Sequence, residues 1–130
     1  MTISRETYEA LVAQAVKELP DESCGYLLGT AEDVTENYPM TNTDHSPEHF
    51  AFDPKEQFAA VRYARQKGLR IIANWHSHPS SPSRPSEEDI RLANDPDIAY
   101  AILSLAADEP VLNIFRIRRG EVERTELIII

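Results

Sequence analysis

The chain has 130 residues, with 13 Lys+Arg against 22 Asp+Glu and a formal net charge of −9. That length suits one domain, 1–130, with a single real core, and an apolar fraction of 42% excludes disorder as the main state. The acidic balance repels phosphate backbones and anionic lipid, so neither nucleic acid nor a membrane is an expected partner. The single cysteine, Cys24, excludes an internal disulfide and a cysteine-based zinc cluster, and it fits a reducing compartment. No apolar run approaches the roughly 20 residues of a membrane helix, and MTISRETYEA lacks a signal-peptide pattern. The expected location is the cytoplasm.

Tyr8, Leu11, Val12, Ala15, Val16 and Leu19 form one apolar stripe at helical spacing, which predicts a helix over about Arg5 to Leu19. Ser4 can cap it and Pro20 ends it. Cys24 to Thr30, apolar between glycines, reads as a buried strand, and Val34 to Met40 as a weaker one. Thr41 to His49 is a polar loop, after which Phe50 and Phe52 start a strand. Asp53, Pro54 and Glu56 read as a Pro-containing capping box opening a second helix, which runs through Phe58, Val61 and Ala64 and stops near Gly68. Leu69 to His78 is a central strand, Pro79 to Pro85 a loop and Ser86 to Asn94 a short helix. Three more strands follow, Ile98 to Leu105, Val111 to Arg118 and Val122 to Ile130. The sum is an α/β (α+β) sandwich, a mixed sheet flanked by two main helices.

The chemistry concentrates at Trp75-His-Ser-His-Pro79 and the stretch down to Asp89. His76 and His78 lie two apart on a predicted strand, so both imidazoles share one sheet face and can reach one metal ion. Two neutral imidazoles suit zinc, and a catalytic zinc needs a third protein ligand, for which Asp89 is the natural supplier. Ser86-Glu-Glu-Asp89 is equally a capping box, which accounts for Ser86 and Asp89 without any metal.

His76-Ser77-His78, seven residues, Ser86, two residues, Asp89 resembles the JAMM (MPN+) metalloprotease signature H-S/T-H-x7-S-x2-D at every position. Upstream, Glu22-Ser-Cys-Gly-Tyr-Leu-Leu-Gly29 resembles the E-x-C-G-x-L-x-G segment that carries that family's catalytic glutamate. Asn42, Ser46-Pro47, Phe50 and Asp53-Pro54 are similar to the segment that bacterial and archaeal members carry before their second helix. The resemblance implies a curved, cytidine-deaminase-like sandwich with a short helix after the metal-binding loop. It implies one Zn2+ per chain held by His76, His78 and Asp89, with a water completing the tetrahedron. Glu22 would be the general base and Ser86 would steady the oxyanion.

Other residues have structural readings. Cys24 is a packed small side chain rather than a nucleophile, and Trp75 belongs to the core. Ser77 points to the opposite face from the histidines and hydrogen-bonds within the fold. His45 and His49 are solvated loop histidines, and Arg116, Arg118 and Arg119 a solvated strand end.

The resemblance implies a zinc isopeptidase or peptidase that cuts after the C-terminal Gly-Gly of a ubiquitin-like or sulfur-carrier protein. A side-chain-free tail can lie extended in a narrow groove and pair with a sheet edge. Only seven residues separate His78 from Ser86, leaving no room there for the insertions that confer polyubiquitin linkage choice. The −9 charge suggests a carrier that is basic near its tail. The rival readings are a non-catalytic scaffold of the same fold and a zinc amidohydrolase acting on a small molecule.

Overall fold

The computed structural model describes Met1–Ile130. In chain order the elements are β1 (Thr2–Ile3), α1 (Arg5–Lys17), β2 (Cys24–Thr30), β3 (Asp33–Met40), α2 (Pro54–Gln66), β4 (Arg70–His78), α3 (Glu87–Leu92), β5 (Ala99–Ser104), β6 (Val111–Arg118), β7 (Glu121–Thr125) and β8 (Ile128–Ile129). All eight strands join one sheet in the order β7-β6-β5-β4-β2-β3-β1-β8. β4 runs parallel to β5, and β1 runs parallel to both β3 and β8. The other neighbours are antiparallel. The expected mixed sheet with two main helices and a short third is therefore the observed fold. No helix is long and apolar enough to cross a membrane.

The two faces of the sheet carry separate cores. On one, Leu11 and Ala15 of α1 pack against Leu27, Ala73, Trp75 and Ile114. On the other, Ala60 and Ala64 of α2 cover Tyr26, Leu28 and Met40, while Ile90 and Ala93 cover Tyr100, Ile102 and Phe115. β4 serves both faces through a bulge. Leu27 pairs with Ala73 and Leu28 with Ile71, so Ile72 is an extra residue in the ladder. Ile71 accordingly packs with the α2 core, while Ile72, Ala73 and Trp75 pack with α1. Beyond the bulge, alternation sends Asn74, His76 and His78 to the α2 face.

Next to the site, β2 passes Trp75 closely. A Cβ on Gly25 would lie 2.8 Å from Trp75 Nε1 and 2.5 Å from Tyr38 O, so only glycine fits. Trp75 is fully buried as expected, its Nε1 donating to Asn37 Oδ1 at 2.9 Å.

Several sequence expectations need correction. α1 ends at Lys17, and Val16 and Leu19 are exposed rather than part of its stripe. Phe50 and Phe52 start no strand; they lie in a loop wound around Asn42. In α2 the inward side chains are Ala60 and Ala64, and Phe58 is 74% exposed. The helix lies close to the sheet through small residues, and Phe58 and Val61 face outward. Asp53 caps α2 by accepting from Lys55 N at 2.9 Å, but Glu56 completes no capping box. Its carboxylate instead accepts from Thr41 N and Thr41 Oγ1, at 2.7 and 2.9 Å.

Val122 to Ile130 is two strands, not one. β7 lies at one edge of the sheet against β6, and β8 lies at the other against β1. Only Glu126 and Leu127 separate them, a span of about 10 Å at most for three Cα–Cα steps. The sheet must therefore curl until its edges nearly meet. β1, two residues long, carried no pattern of its own to read.

Candidate metal centre

The Pro79–Pro85 loop turns back because it is tied to the strands beside β4. Ser104 Oγ donates to Ser81 O at 2.6 Å, and Ser83 Oγ donates to Ile102 O at 2.6 Å while accepting from Asn113 N at 3.2 Å. The chain then enters α3 through a complete capping box. Ser86 Oγ accepts from Asp89 N at 3.0 Å, and Asp89 Oδ2 accepts from Ser86 N at 2.9 Å.

That same Asp89 Oδ2 lies 3.1 Å from His76 Nε2 and 3.1 Å from His78 Nε2, and the two Nε2 atoms are 3.1 Å apart. The three atoms form an equilateral triangle. Ligand bonds of about 2.0–2.1 Å in a tetrahedron give edges of about 3.3 Å, so the donor set and its spacing fit a four-coordinate ion. His78 Nδ1 lies 2.8 Å from Pro82 O, and this contact assigns the proton to Nδ1 and the lone pair to Nε2 inside the triangle. His76 is held by packing: its ring stacks on Phe50 at 4.6 Å and 23°, and its buried Nδ1 has no partner. One geometry thus makes Ser86 and Asp89 a capping box and places the same Asp89 Oδ2 in the donor triangle.

Glu22, just before β2, is fixed from two sides. Ser77 N donates to Ser23 O at 2.9 Å and Ser23 N donates to Ser77 Oγ at 2.8 Å. Glu22 N donates to Ser46 O at 2.8 Å, and Asn42 Nδ2 donates to Glu22 O at 3.0 Å. Ser77 thus has the internal hydrogen-bonding role expected of it. Asn42 organises the whole loop, donating also to His49 O at 3.1 Å and accepting from Asp44 N and Ala51 N. That role was not readable from sequence, although Asn42 lay in a stretch already singled out.

Burial sets the electrostatics. Glu22 Oε1 is buried without a partner. Burial pushes the Glu22 carboxyl up to about 8; His78 pulls it back, and Asp89 and Glu88 push it further. Burial lowers His76, against the pull of Asp89. Burial also lowers His78, but the Asp89 carboxylate and the Pro82 carbonyl outweigh it and leave the ring above its usual value. Asp89 resists burial and stays well below the carboxylate range because both imidazoles hydrogen-bond it. Cys24, fully buried, is pushed up to about 12, as a packed thiol should be.

Beside the triangle a cavity of about 430 Å³ opens between α2 and α3, with His76 and Asp89 at one end and Asn74, Tyr26 and Tyr100 in its floor. His49 is exposed and faces Asp44 at 3.3 Å, outside the site. Arg116 and Arg118 donate to Asp97 O and Pro96 O at the strand end.

The family described as prokaryotic homologs of the JAB domain matches residues 4–118. The chain belongs to this family. It is a small prokaryotic JAMM/MPN protein, and its class is that of the JAMM-type hydrolases. The CysO-cysteine peptidase of Mycobacterium tuberculosis is 34% identical over 106 residues, 80% of this chain and 73% of that protein. The desampylase of Pyrococcus furiosus is 31% identical over 83 residues, 64% of this chain and 59% of that protein. The solution structure of a Desulfitobacterium hafniense protein superposes with a TM-score of 0.90 at 42% identity, covering 99% of this chain and 92% of that one. A structure described as a metalloprotease-like zinc site in the proteasome and signalosome superposes at 0.66 and 25% identity, covering 100% and 97%.

Proposed function

We propose that the JAMM domain, residues 1–130, is a zinc peptidase that hydrolyses the bond after the C-terminal Gly-Gly of a ubiquitin-like or sulfur-carrier protein. The carrying observation is the 3.1 Å triangle of His76 Nε2, His78 Nε2 and Asp89 Oδ2, with the buried, highly basic carboxylate of Glu22 electrostatically coupled to two of its members. The peptidase and desampylase relatives support the substrate class.

His76, His78 and Asp89 would hold the ion, with His78 kept in the right tautomer by Pro82 O. Zinc supplies a Lewis acid there and lowers the pKa of a bound water from 15.7 to about 7. Glu22 takes the proton of the attacking water on Oε1, which no other group engages, and delivers it to the leaving nitrogen. In the metal-free protein burial raises this carboxyl to about 8; a dication held at the triangle would lower it and keep it ionised, as a general base must be. Ser86 Oγ accepts from Asp89 N, so its own hydroxyl hydrogen remains free to donate to the oxyanion. β4 is paired on both flanks, by β2 and β5, so a Gly-Gly tail does not dock by adding to that strand.

Zinc analysis of the purified protein should give about one ion per chain. Glu22→Gln should keep the zinc and lose turnover of carrier conjugates; loss of zinc together with activity would make Glu22 structural. A His76→Ala protein that still binds stoichiometric zinc would overturn the ligand assignment. Turnover of small acyl amides with no carrier attached would favour the small-molecule reading.

A further inference from the structure

His76 and His78 aim at one point from one strand, yet their rings are held by different means. His78 is hydrogen-bonded at its far nitrogen, Nδ1 to Pro82 O at 2.8 Å. A ring fixed there cannot turn about its Cβ–Cγ bond without breaking the contact, and metal-ligating histidines ordinarily have such a partner. His76 has none. The residue is 3% exposed, and its buried Nδ1 meets no donor or acceptor. No hydrogen bond behind His76 sets the direction of its Nε2.

What lies against the ring is Phe50, with 4.6 Å between centroids and 23° between planes. Face contact with a flat partner opposes the same rotation, because turning the imidazole would drive its edge into the neighbouring ring. Phe50 belongs to no helix or strand, so its own place has to be secured. On the backbone side, Ala51 O accepts from Thr43 N at 3.0 Å and from Thr43 Oγ1 at 3.1 Å, and Ala51 N donates to Asn42 Oδ1 at 3.3 Å. On the side-chain side, Phe52 meets Phe50 edge-on at 5.4 Å and 69°, and Tyr26 meets Phe52 at 5.1 Å. Tyr26 OH accepts from Gln57 Nε2 at 3.0 Å. Four rings thus run from His76 through Phe50 and Phe52 to Tyr26 in the sheet, and the last is tied to α2.

An aromatic face also does what an aliphatic wedge cannot. An imidazole that binds a cation through Nε2 loses electron density, and an electron-poor ring stacks more strongly on an aromatic face. The contact therefore favours the loaded site over the empty one, besides aiming the ligand.

Resting on the ligand set assigned above, we propose that Phe50 is a positioning residue of the metal centre. Its aromatic face does for His76 what the Pro82 carbonyl does for His78. Removing the group that orients a ligating histidine costs about 10–100-fold in metal affinity, and Phe50 falls in that class.

The test is a zinc titration of the full chain in competition with a chromophoric chelator, on wild type, Phe50→Leu and Phe50→Tyr. It is paired with NMR of the histidine rings in the metal-free proteins. Phe50→Leu stays apolar but removes the face, and it should weaken zinc binding at least about tenfold. Phe50→Tyr keeps the face and should remain within about threefold of wild type. In metal-free Phe50→Leu the His76 ring signals should shift or broaden, while those of His78 stay in place. Unchanged zinc affinity in Phe50→Leu, equal losses in the two variants, or both histidines disturbed alike would overturn the proposal. The ligand assignment stands or falls on zinc stoichiometry in wild type and His76→Ala. The Phe50 proposal is read from the ratio between its variants and from metal-free spectra, so the two failures are distinguishable.

Discussion

Ser23 and Ser77 exchange two hydrogen bonds between the start of β2 and the end of β4, Ser77 N to Ser23 O at 2.9 Å and Ser23 N to Ser77 Oγ at 2.8 Å. One is backbone pairing that any residue could make; the other needs the hydroxyl. The pair fastens the residue after Glu22 to the residue between the two histidines. Ser77→Ala should leave a buried Ser23 N–H without a partner and cost about 1–3 kcal/mol. Chemical denaturation would measure that. Turnover should fall by more than a stability change explains, because the anchor beside Glu22 is reduced to its backbone bond.

Asn42 is the other anchor. Asn42→Asp keeps the acceptor that Asp44 N and Ala51 N use, but loses the donations to Glu22 O, Ser46 O and His49 O. The variant should fold with lowered stability, bind zinc normally and show reduced kcat with a shifted pH profile. Asn42→Ala leaves Asp44 N and Ala51 N without their acceptor as well, at a cost of about 1–3 kcal/mol relative to wild type. Zinc content, a denaturation midpoint and a pH–rate curve distinguish these effects.

Glu22 gives the metal-free protein a pH dependence of definite sign. Its folded pKa of about 8 lies above the ordinary value of 4.5, so the native state holds a proton that the unfolded chain releases. The resulting stability is fully present below 4.5 and is lost as pH rises through 8. Glu22→Gln carries no such dependence. In the presence of a chelator, wild type should therefore lose stability relative to Glu22→Gln between pH 5 and pH 8, and the gap should level off above that. Parallel urea titrations at three pH values would show it; a constant gap would contradict it.

Asp89 has two duties on one oxygen. Oδ2 accepts from Ser86 N at the helix start and points at both imidazoles. Asp89→Asn retains an acceptor for the cap and surrenders the negative charge. It should keep α3 and weaken zinc binding strongly. Asp89→Ala should lose both and cost about 0.5–2 kcal/mol of additional stability in the metal-free state. Zinc titration alongside metal-free denaturation of the two variants separates ligation from capping.

The histidine pair was legible because β4 keeps a period of two beyond its bulge at Ile72, and period alone aligns His76 with His78. Asp89 was half legible, since the same four letters spell a capping box. Glu22 was not legible from residues alone. It sits in a turn like any solvated acid, and what fixes its backbone is Asn42, twenty positions away, and, through Ser23, Ser77, further still. The misread α2 face has a similar cause: Phe58 and Val61 look like a core stripe, yet the distance of closest approach favoured Ala60 and Ala64. Phe50 and Phe52 alternate like a strand, but every available sheet edge nearby is already taken and Phe50 stacks on His76 instead.

The two-residue link between β7 and β8 has a bearing on solubility. A sheet of eight strands ordinarily presents two long unpaired margins on which other chains can assemble. Here the curl leaves one margin as the charged segment Glu121–Thr125 and the other as the two residues Ile128 and Ile129. The last strand is a seal: Ile128 N donates to Met1 O, Ile130 N donates to Ile3 O, and Ile130 O accepts from Arg5 N. Removing Ile128–Ile130 would uncover β1 and its apolar neighbours along an open backbone edge, and the shortened chain would precipitate through cross-chain strand pairing long before the His76, His78 and Asp89 triangle was disturbed.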